Sequence, residues 1–240
     1  MRENIKKRFS VLNIAYKKRF YARMLGSVVQ GLIIGVGKGG YIRVSPVIYV
    51  VGANVGEDEL MPTLCPELTD RQTWHFPERT PLDDSFAQEI QRRLEISPVV
   101  NVFSTLTSDV IDRDIRWFTN KSTDWSANLS LTFFNMTRGA STARADFERA
   151  KSLFYKYSRI SSVKPLRDWE ETLLQRFVEF ETRLDDPNCI ALCRADAETH
   201  ARSLKLPRIV WPPDWPESVP PWPRESSKSW GDRVRGFLAS

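Results

Sequence analysis

The hydrophobic pattern changes period near residue 83. Before that point it alternates in strand-like fashion, and after it apolar residues recur every three or four positions. Residues 2–13 are the exception at the start, because Ile5, Phe9 and Leu12 fall on one side of an amphipathic helix. Three strands are then expected at 16–24, 28–35 and 41–51. Leu25-Gly26-Ser27 joins the first two, with glycine supplying the positive φ of a tight hairpin. The third strand is rich in β-branched residues, and Pro46 places it at an edge or a bulge. Residues 52–82 hold Pro62, Pro66, Pro77 and Pro81 without a stable period, and read as a long connection with one short strand around Gln72–Phe76.

The second half reads as helices. Asp83 or Asp84 caps a helix through Leu94 that carries Phe86 and Ile90. Ser97-Pro98 starts another, which breaks near Thr107-Ser108 and resumes with Val110, Ile111, Ile115 and Phe118. Residues 126–137 fit strand or helix, and Gly139, well placed as a left-handed stop, decides for helix. A partner helix over 143–158 carries Phe147, Ala150 and Phe154. The clearest run, 166–184, has Trp169, Leu173, Phe177, Phe180 and Leu184 inward, and Asp186-Pro187 ends it. A last helix over 189–204 bears Ile190, Cys193, Ala197 and Leu204.

The fold class expected is therefore α+β: an N-terminal helix and three-stranded antiparallel meander packed with a C-terminal set of helices. Residues 1–206 form a single domain, its sheet part about 1–80 and its helical part about 83–206, followed by a Pro/Trp-rich tail over 207–240. Seven of the fifteen prolines and four of the eight tryptophans lie in that tail. Such a ribbon either wraps the domain, with Trp211, Trp215 and Trp222 as pegs, or serves as an extended ligand for another protein.

At 240 residues, 41% of them hydrophobic and 27% charged, the chain can bury a sizeable core. It shows no secretory leader and no apolar stretch long enough to span a membrane, which leads us to expect a cytoplasmic protein. Cys65, Cys189 and Cys193 cannot all pair, and the four-residue step between the last two reads as one buried helix face of reduced thiols. Asn-x-Ser/Thr matches at Asn120, Asn128 and Asn135 read as chance.

The net charge of +5 is unevenly placed. Residues 1–23 hold eight basic side chains against Glu3, a net of +7, whereas residues 24–240 carry 27 basic and 29 acidic groups, a net of −2. Lys-Lys-Arg-Phe occurs twice, at 6–9 and 17–20. This marks Lys6, Lys7, Arg8, Lys17, Lys18, Arg19 and Arg23 as partner-binding candidates for an acidic protein surface or a nucleic acid. A solvated helix face followed by a charged edge strand accounts for them equally well. Trp74, beside His75 and Phe76 in the long connection, is a further partner-binding candidate, with loop anchoring as its alternative.

Catalytic signatures are weak. Gly35-Val36-Gly37-Lys38-Gly39-Gly40 matches a dinucleotide fingerprint literally, but a strand rather than a helix follows it, so a hairpin loop is expected. His75 and His200 are the only histidines. Asp109, Asp112 and Asp114 cluster, but Arg113 and Arg116 stand ready to neutralise them, which reads as a solvated, salt-bridged helix face. No catalytic residue, metal set or cofactor is expected.

The order helix, lysine-rich step, meander and helical half, with Asn135-Met136-Thr137-Arg138-Gly139 before Ala145-Asp146-Phe147-Glu148-Arg149-Ala150, has a counterpart. Over about residues 2–158 it is similar in outline to small bacterial cytosolic proteins of uncharacterised function, often found near polymorphic-toxin or defence loci, some of them regarded as immunity proteins. That resemblance implies a non-enzymatic, immunity-like binding protein that occludes a toxin or effector. Nucleic-acid binding through the basic N-terminal segment is the alternative.

Overall fold

A computed structural model describes residues 15–17, 20–37, 41–53, 74–77, 84–96, 105–121, 125–157 and 168–222. The helix expected over 2–13 lies outside these residues, as does the end of the tail beyond Trp222. Strands and six helices among the described residues give an α+β chain, and they group into two compact units. The first comprises 1–50 with 60–122, and the second comprises 51–59 with 123–240.

In the first unit β1 (Ala15–Lys17), β2 (Phe20–Leu25), β3 (Val28–Gly37), β4 (Tyr41–Val50) and β5 (Trp74–Pro77) follow one another in an antiparallel sheet of order β1-β2-β3-β4-β5. The strand expected over 16–24 is in fact two. The chain reverses between Lys17 and Phe20, so that Tyr16 faces Tyr21 and Ala15 faces Ala22. Gly26, at φ +53°, and Ser27 make the two-residue turn that sets Leu25 opposite Val28.

Pro46 pairs with Leu32 on one side, while β5 reaches only from Tyr41 to Val44 on the other. Among the described residues, the one without an amide hydrogen has a strand partner on one side of β4 only. Register partners share a face, which puts Gln30, Ile48, Leu32, Val44, Ile42 and Phe76 on one side of the sheet. Two helices cover it. Phe86 of α1 (Asp84–Ile96) meets Phe76 edge-on at 4.9 Å between ring centres, and Asp114 of α2 (Ser108–Lys121) bonds Gln30. Both helices group with the strands, although the change of period falls at residue 83.

The second unit is built around α3 (Trp125–Thr137), in which every residue from Ala127 to Thr137 is buried. Its polar residues are small and several return their hydroxyls to the helix backbone, Ser130 to Ser126 O and Thr132 to Asn128 O, so the helix is buried on all sides and its sequence shows no clear face. Gly139, at φ +68°, stops it as expected, and α4 (Ala143–Tyr157) returns alongside. Next come α5 (Asp168–Leu184) and α6 (Cys189–Ser203). Phe177 of α5 stacks on Phe154 at 4.9 Å and approaches Phe147 and Trp125 at 5.9 and 6.3 Å. One inward assignment shifts by a residue, because Leu174 rather than Leu173 is fully buried beside Phe177, Phe180 and Leu184.

Residues 206–222 lie against these helices. Trp215 and Trp222 are buried, and Trp215 meets Phe134 edge-on at 5.8 Å. Trp222 donates its indole N–H to Ala140 O at 2.8 Å and its backbone N–H to Leu184 O at 3.2 Å. Trp211 reaches Glu198 at 2.9 Å.

Candidate functional site

Of the basic residues singled out from sequence, Lys6, Lys7, Arg8, Lys18 and Arg19 lie outside the described residues. Lys17 ends β1, opposite Phe20. Trp74 opens β5, opposite Val44, and therefore belongs to the sheet rather than to a loop. His75, next to it, pairs with Arg43.

Arg23 is half-buried in β2, directly across from Gln30 in the register. Its Nε donates to Gln30 Oε1 at 3.0 Å, while Gln30 Nε2 donates to Asp114 Oδ2 at 3.1 Å. Asp114 Oδ1 in turn accepts from Arg113 Nη2 at 3.0 Å. Desolvation pulls the Arg23 pKa down to about 10, against the opposing pull of the Asp114 charge. Gln30 and Asp114 are both fully buried, so an amide and a carboxylate inside the core satisfy each other.

This corrects the solvated-face reading of the aspartate cluster. Asp112 does pair outward with Arg116 at 2.7 Å, as its i,i+4 spacing suggests, but Asp114 points into the sheet. The signal was present in the sequence, since Asp114 lies three residues after Ile111 and one before Ile115 on the inward stripe. Gln30 likewise interrupts the apolar run Val28-Val29-Gln30-Gly31-Leu32-Ile33-Ile34.

Polar chemistry in the second unit is also spent on holding elements together. Asn135 Nδ2 donates to Asp146 Oδ2 at 2.7 Å, and Asn135 Oδ1 accepts from Arg138 Nε at 2.8 Å. Arg144 pairs with Asp185 and donates to Trp222 O at 3.0 Å. Arg194 ties Thr137 O, at 3.1 Å, to Pro216 O, at 2.9 Å. His200 accepts the Gly52 N–H at Nδ1, at 3.0 Å, and Arg176 donates to Gly52 O at 3.1 Å. The second histidine is thus a backbone clamp. Asn128 and Asn135 are fully buried, which closes two of the three glycosylation matches in the folded chain.

Among the described residues no three metal-ligating side chains converge, and no helix is long and apolar enough to cross a membrane. No family model matches the chain, and neither the curated proteins nor the solved structures contain a match to it.

Proposed function

We propose that this chain is a non-enzymatic bacterial binding protein, immunity-like and cytoplasmic, that occludes an acidic surface of a toxin or effector partner. The observation that carries this reading is the charge asymmetry: a net of +7 within residues 1–23 against −2 over the other 217. A cationic segment on a near-neutral body steers association with an anionic partner and suppresses competing encounters. Further support comes from the interior of each unit taken by itself, where the described polar side chains bond to other elements of the same unit. Arg23, whose guanidinium bonds Gln30, is left unchanged in the test below.

The test is quantitative binding to a toxin encoded beside the gene, with the purified wild-type chain and a variant in which Lys6, Lys7, Arg8, Lys17, Lys18 and Arg19 are changed to Glu. Affinity should fall at least tenfold in the variant and decline steadily with salt in the wild type. Affinity unmoved by both salt and charge reversal sinks the reading, and so does substrate turnover by the pure chain. A shift of a mixed-sequence oligonucleotide at low salt, lost in the same variant, transfers the basic segment to a nucleic-acid partner.

A further inference from the structure

Cys189 opens α6 and Cys193 follows one turn later. Both are buried, as free thiols, with their Sγ atoms 4.0 Å apart. A disulfide needs sulfurs about 2.05 Å apart and Cβ atoms about 3.5–4.5 Å apart, whereas residues four apart on a helix hold their Cβ atoms at about 5–6 Å. Closure would therefore require unwinding the first turn. A metal bridge requires no such change. Two bonds of about 2.3 Å, the length of a zinc–thiolate bond, span up to about 4.6 Å between sulfurs.

We propose that Cys189 and Cys193 form a site for one soft monovalent ion of the copper(I) class, held between two thiolates. Thiolate sulfur selects such ions over hard cations. Binding releases two protons, one from each thiol, and leaves a dithiolate–metal unit of net charge −1. Arg183 supplies the balancing positive charge. Its guanidinium lies beside Cys193 and pairs with Asp196 at 2.5 Å. The start of α6 adds its positive dipole end beside Cys189. The Arg183–Asp196 pair is partly exposed, whereas both cysteines are buried.

The test uses the full-length, fully reduced chain titrated anaerobically with copper(I) against a competing chromogenic chelator. One ion per chain should be taken up. Cys189→Ala and Cys193→Ala should each lower the affinity at least tenfold with an unchanged circular dichroism spectrum, and Cys65→Ala should leave it intact. Arg183→Gln should weaken binding several-fold without abolishing it. Should an alanine variant fail to fold, the copper(I)-loaded Cys65→Ala chain still decides, because X-ray absorption must show two sulfur neighbours on the ion when Cys189 and Cys193 are the only cysteines left. No uptake, uptake undiminished in the double alanine variant, or conversion of the pair to a disulfide without metal retention overturns the proposal.

Discussion

At the residue scale, the Gln30–Asp114 contact shows why buried polar groups are best read in pairs. Removing one partner strands the other in a medium without water, which costs about 1–3 kcal/mol. Asp114→Ala should therefore destabilise the chain by about that amount in urea titrations, and the double change Gln30→Leu with Asp114→Leu should recover part of the loss. Tyr49 provides a pH prediction. Burial pushes its hydroxyl up to about 12 from 10.0, so the folded state keeps the proton longer than the unfolded one. The associated stability is fully present below pH 10 and is lost as pH rises towards 12, amounting to about 2–3 kcal/mol. Stability measured from pH 9 to 12 should fall less steeply in Tyr49→Phe than in the wild type. Gly52 is a third such position. At φ +90°, a Cβ would stand 2.8 Å from Phe133 Cζ and 2.9 Å from Ala197 Cα, and the latter is backbone that cannot swing aside. Gly52→Ala should lower the melting temperature through strain and overlap together.

At the element scale, periodicity located the helices, and neighbours decided which of their residues go deepest. The 168–184 helix was legible because its aromatic residues recur at steps of three and four, yet the fully buried leucine is Leu174. Stripe edges are decided by what packs beside them, and a single sequence does not contain that. Phe177 touches three aromatic rings, so Phe177→Ala should cost about 3–5 kcal/mol, whereas Leu173→Ala, at a half-buried position, should cost clearly less. Equilibrium denaturation of the two variants checks the order. The strand expected over 16–24 was misjudged for a related reason. Alternation continues through a tight reversal almost unchanged, so hydropathy alone registers one strand where hydrogen bonding makes two.

At the scale of the whole molecule, composition identified the C-terminal ribbon as unusual but left its role open between clasp and ligand. Trp215 and Trp222 are buried, and Arg144 and Arg194 bind the carbonyls of Trp222 and Pro216, so the described part of the ribbon belongs to the second unit. Trp222→Ala should cost about 3–5 kcal/mol and raise protease sensitivity after Leu206, which limited proteolysis with mass spectrometry would report. The candidate contact set was legible only as charge. Sequence counts lysines and arginines, but it does not show that the Arg23 guanidinium reaches across a strand pair to Gln30.

The sequence by itself determined the α+β class, the positions of the described helices, the glycine stops at 26 and 139, and the concentration of positive charge in residues 1–23. These follow from local rules: side-chain period, backbone freedom and composition. Only the tertiary structure decided that Asp114 faces a glutamine in the core, that His200 clamps a backbone amide, that Trp222 is a peg, and that two thiols lie 4.0 Å apart beside an arginine. Each of those depends on which distant segments become neighbours, and burial and pairing energies are properties of neighbours rather than of residues.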